Sequence, residues 1–600
     1  MAKKLVHRNE VNPEHTWDLT SLFKTEADYN ETFDALEKEV DQFVSTFKGQ
    51  LTTPAMINKA LDVYAPMYEK MVHLGTFNSL SASADQTNEE TIQRYGLYAI
   101  RTTEISNKLS FFTSEISGND IATLEAASEM SDANKGYLKQ VLREKPHALS
   151  PEVEAAVTAL NAALDAPYSI YNRGKLQDMS FDDFEVNGET YPNSFVLFEG
   201  EWEYEVDHDV RHKAFEEFYG KLAEYQHTFA EVYQTQVLKE KALATLKGFD
   251  SVIDYLLFEQ EVSRDMYDRQ IDLITEHLAP HMRKYAKLLQ EEHGLENMSF
   301  FDLLMPLDPG FEPDITIEAS REKLLEGLSI LGDDYLAMVN RAFDERWIDF
   351  PQNIGKSTGA FCSSPYGAHP YVLISWTERM REVFVLAHEL GHAGHFYLAG
   401  QNQNIFDTRP SLYFIEAPST MNELIMANHL TTQSDDPRFK RWVLSTMISR
   451  TYYHNFVTHL LEAAYQREVY RAVDAGKPLS TAGLNAMKRN VLESFWGDTV
   501  TINPNVELTW MRQPHYYMGL YPYTYSAGLT IATEVSQKVL NGELDIERWK
   551  DVLKAGGTKT PLELAQMVDV DLSTEKPLRH TIEHIGAMID EIIDLTHQMK

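Results

Sequence analysis

The chain has 600 residues and a single cysteine, Cys362. No disulfide can form within it, which excludes the disulfide-stapled class of secreted domains and fits a reducing compartment. Positive charge is scarce as well. Against 91 Asp and Glu stand 54 Lys and Arg, a formal net charge of −37. That balance argues against nucleic acid and anionic membranes as partners; it promotes solubility and favours cationic peptides over anionic ones. No uninterrupted apolar run is long enough to span a bilayer, and the first ten residues lack the apolar stretch of a secretory leader. Internal repeats and low-complexity tracts are missing too. The expectation is a cytoplasmic protein, and with 43% hydrophobic residues it has material for a large core.

What is present is mostly helix. From about 25 to 165 the pattern is one of successive amphipathic helices, opened by Trp17-Asp-Leu-Thr-Ser-Leu-Phe after a polar leader. Over 26–47, Tyr29, Phe33, Leu36, Val40 and Phe43 recur at three- and four-residue steps, a stripe that packs a core. The texture changes at 180–206. There 181–186, an Asn187-Gly188 turn and 194–198 predict short strands, and helix resumes over 209–246. A second island, 358–376, predicts two strands joined by a Gly/Pro turn. It is either a site of strand addition for an extended peptide or an ordinary hairpin over the core. The fold class is mainly α. A soft boundary near 200 separates a helical region, 1–200, with a short β segment near its end, from 201–600, which carries the chemistry.

That chemistry begins at Val383-Phe-Val-Leu-Ala-His388-Glu389-Leu-Gly-His392. Histidines at i and i+4 share a helix face, so both imidazoles reach one ion. A glutamate beside the first is placed to take a proton from a water the ion has made acidic. The pattern points to zinc-dependent peptide hydrolysis. The same spacing recurs at His208/His212, His277/His281 and His580/His584. The first has Asp207 before it and Arg211 inside it, which reads as a solvated helix start with a guanidinium opposing a dication. The second contains Pro280, which disfavours regular helix. The third has no acid after its first histidine. Only His388/His392 follows an apolar run, the dry wall that a catalytic zinc needs.

A catalytic zinc takes three protein ligands and keeps a fourth position open. His395 would make an awkward third ligand from the same helix, and His395 and Leu398 depart from H-E-x-x-H-x-x-G-x-x-H. The third ligand is therefore expected from another helix. The strongest candidates lie in Tyr413-Phe-Ile-Glu416-Ala-Pro-Ser-Thr-Met-Asn-Glu423-Leu. Glu416 and Glu423, seven apart, share a helix face among apolar neighbours, where an acid needs a partner.

His388-Glu-Leu-Gly-His-Ala-Gly-His395, followed by Phe414-Ile-Glu416-Ala-Pro-Ser-Thr-Met-Asn-Glu423, resembles the thimet-oligopeptidase-type metallopeptidases, and within them oligoendopeptidase F. Thr16-Trp-Asp-Leu-Thr-Ser-Leu-Phe and the tyrosine-rich segment near 520 extend the likeness over most of the chain. The resemblance implies a two-lobed zincin-type helical fold with a deep substrate channel and a small β-sheet near the active site. It implies one Zn²⁺ per chain, bound by His388, His392 and Glu416, with Glu423 orienting a ligand histidine and Glu389 as general base. In the segment from His515 to Gly528 it implies that tyrosines, Tyr523 or Tyr525 first, meet the oxyanion with His515 in support. Gly519 and Gly528 suggest that this segment is a bendable loop. The expected activity is endopeptidic, on short peptides that fit a channel. A helical zinc carboxypeptidase and a non-catalytic peptide-binding protein are the alternatives. The first would release single C-terminal residues, and the second has no use for Glu389.

Overall fold

The computed structural model describes residues 6–357 and 359–600; residues 1–5 of the polar leader and Thr358 of the second β island lie outside the described residues. Helices form where apolar residues step by three and four. Thr25 caps Glu26–Phe47: its hydroxyl oxygen accepts from the Asp28 amide at 3.1 Å, and the Asp28 carboxylate accepts from the Thr25 amide at 3.0 Å. Two amides that a first turn leaves unpaired are thereby satisfied. Tyr29, Phe33, Leu36, Val40 and Phe43 are all buried, as their spacing predicts. They pack with Pro54–Ala84 and Glu89–Gly118 into an N-terminal core reaching from Trp17 to Val141.

A second, larger core reaches from Tyr171 to Leu595. At its start, β1 (Phe184–Val186) pairs antiparallel with β2 (Glu189–Tyr191). Asn187 and Gly188 turn between them at φ 54° and 86°, the left-handed geometry that this dipeptide tolerates. The strand expected at 194–198 is not one. Ser194 opens the helix Phe195–Gly200, its hydroxyl oxygen accepting from the Leu197 amide at 3.1 Å, with Phe195 and Phe198 buried one helical step apart. The capping serine outweighs the strand preference of Phe-Val-Leu-Phe.

The second island forms two strands as expected and gains a third. The order is β3-β5-β4, with β3 (Ile348–Asp349) parallel and β4 (Phe361–Ser363) antiparallel to the central β5 (Tyr371–Leu373). Successive residues of a strand face opposite ways, and β5 uses this to join the cores. Tyr371 and Leu373 belong to the N-terminal core, Val372 to the larger one. β4 is left as an edge strand. Buried Asp349 holds the leader to this sheet through Arg8 Nη1 at 2.9 Å, and Lys356 Nζ reaches it at 2.7 Å. Three helices of the larger core, Arg381–Asn402, Ala417–Thr432 and Pro522–Leu540, position the residues of interest. Among the described residues no helix is long and apolar enough to cross a membrane.

Candidate active site

Helix Arg381–Asn402 puts His388 and His392 on one face, ring centroids 5.0 Å apart. Gly391 lets the next helix come close: a Cβ there would lie 2.5 Å from the Pro418 carbonyl oxygen. Asn422 fastens this crossing, donating to the Ala387 carbonyl at 3.0 Å. Glu416, at the N-cap of Ala417–Thr432, is thereby set against both histidines. Its Oε2 lies 3.4 Å from His388 Nε2 and 3.3 Å from His392 Nε2, and accepts from Ser419 Oγ at 3.1 Å. The positive end of the helix favours a carboxylate there. Tetrahedral ligands bonded to zinc at about 2.0–2.1 Å stand about 3.3–3.5 Å from one another. The three donor atoms all lie within 4.8 Å of one another, so the set fits such an ion.

Glu423 flanks His388 on its other side, accepting from Nδ1 at 2.7 Å, and its second oxygen accepts from the Thr451 hydroxyl. That bond leaves Nε2 as the nitrogen facing Glu416. Burial works against charge on Glu416, but the positive charge of His392 and His388 outweighs it and holds the carboxyl well below its usual range. Burial likewise lowers His388, yet its bonds to Glu416 and Glu423 lift it well above the ordinary imidazole value. Glu389 is 5% exposed and its Oε2 has no hydrogen-bond partner among the described residues. Burial raises its pKa, against the pull of His388 and His392. A carboxylate so placed can take a proton and return it.

His395 is fully buried outside this group, its ring 6.1 Å from that of Phe414. Of the other histidine pairs, His208 and His212 converge with Asp302. Buried Arg211, however, donates to the same carboxylate through Nε at 3.2 Å, so a guanidinium already supplies its cation. Ahead of Pro280 the chain is wound as a π-helix, Ile274–Leu278, which contains His277, while His281 lies in the α-helix that follows.

A cavity of about 580 Å³ opens over the histidine face, with Phe361 and Cys362 of β4 along its wall. Burial pushes the Cys362 thiol up to about 12, so it stays protonated. The cavity adjoins a second one of about 770 Å³, with Arg450, His454 and Tyr525 lining both. Tyr521 and Tyr525, one turn apart, both line the first cavity. Tyr523, between them, points the other way. It is fully buried, its hydroxyl donates to Gln260 Oε1 at 2.5 Å, and its ring packs 4.9 Å from Tyr267. The expectation for Tyr523 is therefore corrected, because a helix sends position i+2 to the opposite side. Burial holds Tyr521 at about 12 and Tyr525 higher still, so both remain O–H donors at neutral pH. His515 Nε2 stands 3.4 Å from the Tyr525 hydroxyl, and burial pushes this imidazole down to about 4, leaving it neutral. Gly519 turns the chain at φ 67°. Gly528 does not belong to a loop; it lies within Pro522–Leu540, where a Cβ would sit 2.8 Å from that of Glu416. Sequence reasoning missed Tyr521, for which the four-residue step to Tyr525 was the available signal. It also missed Arg450, Thr451 and His454, which reach the cavity from Met447–Thr458, a segment wound as a π-helix whose winding no periodicity announces.

Residues 202–584 match the model of peptidase family M3, and 116–181 match that of oligopeptidase F. This chain belongs to peptidase family M3. The likeness to oligoendopeptidase F runs along its whole length. Oligopeptidase PepF of Bacillus subtilis is 26% identical, covering 100% of this chain and 90% of its own. An oligoendopeptidase F homolog of Borreliella burgdorferi is 27% identical over 98% and 99% of the two chains. The crystal structure of oligoendopeptidase F from Enterococcus faecium superposes with a TM-score of 0.75 at 21% identity, covering 96% of this chain and 99% of that one, and shares the helical fold. This M3 peptidase is a metalloendopeptidase with small sheets set in a helical body.

Proposed function

We propose that this M3 peptidase cuts internal bonds of short oligopeptides in the cytoplasm, with one Zn²⁺ per chain held by His388, His392 and Glu416. One observation carries the reading: a single Glu416 oxygen lies 3.3–3.4 Å from Nε2 of both histidines, and the unpartnered carboxylate of Glu389 belongs to the same cavity. When bound, zinc supplies Lewis acidity, polarising a carbonyl and bringing the pKa of water to about 7. Glu389 takes the proton of the attacking water and returns it to the departing amine. The Tyr525 hydroxyl, with Tyr521 beside it, donates to the oxyanion as charge develops, and His515 positions Tyr525. Glu423 holds His388 in the required tautomer. The free edge of β4 binds the extended backbone by strand addition. A cleft of this form suits short, extended peptides, and the names of the relatives support the same substrate class. A single cysteine supports a reducing, cytoplasmic setting. We further propose that 201–600 is the catalytic unit and 1–200 an N-terminal helical region. The family match from 202 supports this division, although the packing of the larger core extends back to Tyr171.

The test is the mass spectrum of products from a mixed peptide pool, with and without chelator, beside a folded protein substrate. Internal cuts in short peptides, lost on chelation and restored by zinc, are expected. Release of single C-terminal residues would replace the reading with a carboxypeptidase, and binding without turnover would replace it with a peptide-binding protein. Efficient digestion of the folded protein would remove the channel. Glu416→Ala should lose its metal by elemental analysis; full metal content would move the third ligand elsewhere.

A further inference from the structure

The second cavity contains an unbalanced charge. Lys488, on the helix Thr481–Trp496, lines it and is 3% exposed. Its ammonium lies 5.6 Å from the centre of the Tyr465 ring but makes no hydrogen bond or ion pair with any described residue. The other deep cations there are engaged. Arg512 pairs with Glu199 at 3.2 Å and Glu203 at 2.7 Å, and Lys175 donates to the Arg512 carbonyl at 2.8 Å. Glu462, the acid whose charge Lys488 feels most, accepts instead from His459 Nδ1 at 2.8 Å. Burial brings Lys488 down to about 8, so it remains largely charged at neutral pH. An ammonium removed from water without an anion is strongly unfavourable, and a ligand carboxylate would relieve it. Arg450, which lines both cavities and stacks over Tyr204 at 4.0 Å, is a second cation without an ion pair among the described residues.

We propose that Lys488 anchors the C-terminal carboxylate of the peptide in the cavity beyond Tyr525. This rests on the peptidase reading, because it requires one substrate to occupy both cavities. A fixed cation and a fixed Glu389 set a span between the peptide's end and the scissile bond, and that span selects short peptides with a free terminus. The attraction must be local, since the chain as a whole, at −37, repels anions.

The experiment compares kcat/KM of the zinc-loaded enzyme for one short peptide as free acid, as C-terminal amide, and as an amide carrying Glu in place of its last residue. The free acid should exceed the plain amide by about tenfold or more, as for a lost hydrogen bond to a charged group, chiefly through KM. Lys488→Met should bring the acid-to-amide ratio near one, and Lys488→Arg should keep part of it. A Lys488-dependent gain for the Glu-bearing amide alone would overturn the terminus as the source and assign a side-chain carboxylate instead. Equal rates for all three peptides in the unmodified enzyme, or a ratio that survives Lys488→Met, would overturn the anchor. Should Lys488→Met fail to fold, competition by a short acetylated peptide acid against its amide, on the unmodified enzyme, decides the matter: equal inhibition overturns it. Cleavage of none of the peptides would remove the peptidase reading itself, a separate result.

Discussion

At the metal end of the cleft two imidazoles from one helix meet a carboxylate from the next. At the other end, imidazoles from Met447–Thr458, Pro514–Tyr517 and the start of His459–Asp474 gather around Tyr525. Both ends are buried and polar, but their electrostatics differ. At the metal end His388 uses both nitrogens and Glu423 both oxygens, while Glu389 Oε2 is left without a partner among the described residues. Around Tyr525 the imidazoles are neutral, His454 and His459 pushed to about 3 and His515 to about 4 by burial, and His515 Nδ1 has no partner among the described residues. The first end thus suits the single ion proposed for it, while the tyrosine end keeps the hydrogen-bonding capacity that the proposed peptide substrate would use.

The comparison breaks first at Glu389. Glu389→Gln should bind metal normally, by elemental analysis, and lose about 10²–10⁴ in kcat, the usual worth of a general base; a near-normal rate would remove it from the chemistry. Next, Tyr525→Phe should lose about 10²–10³ in kcat, as for one oxyanion donor. Tyr523→Phe should keep its kcat and lose only about 1 kcal/mol of stability with the Gln260 bond. Equal losses of rate would show that the two faces of Pro522–Leu540 have been misassigned.

A buried acid outside the cleft sharpens the contrast. Burial raises Glu240 from 4.5 to about 7, although Tyr470 and Gln236 donate to it. The folded chain therefore holds a proton there that the unfolded chain releases near 4.5. This contribution is complete below pH 4.5 and is lost as pH rises through 7, to the extent of about 3 kcal/mol. Urea titrations at pH 4.5 and 8 should show that loss in the parent and not in Glu240→Gln; parallel pH profiles would reject it. At the metal end itself, Glu423→Gln should weaken zinc about 10–100-fold in a chelator competition. Unchanged affinity would mean that the bond to His388 Nδ1 does not tune the site.

Much of the metal end was legible because its information is local. The i, i+4 step of His388 and His392 and the seven-residue step from Glu416 to Glu423 are helix periodicities, readable without a partner. The same rule found Glu26–Phe47 and, had it been applied to Tyr521 and Tyr525, would have set Tyr523 aside. It failed at Ser194, where a single cap hydrogen bond decided between strand and helix. It could not find Arg450 or His454, since a π-helical segment has no apolar rhythm of its own to betray it.

The sequence alone determined that this protein is helical and carries one histidine pair behind an apolar run with a glutamate beside it, because such features depend on neighbours within a turn or two. Only the tertiary structure decided which acid meets both histidines, which tyrosine faces the cleft and which lysine is left without an anion. Those outcomes depend on where helices cross, and the crossings are set by close packing at Gly391 and Gly528, where the absence of a side chain lets two backbones meet.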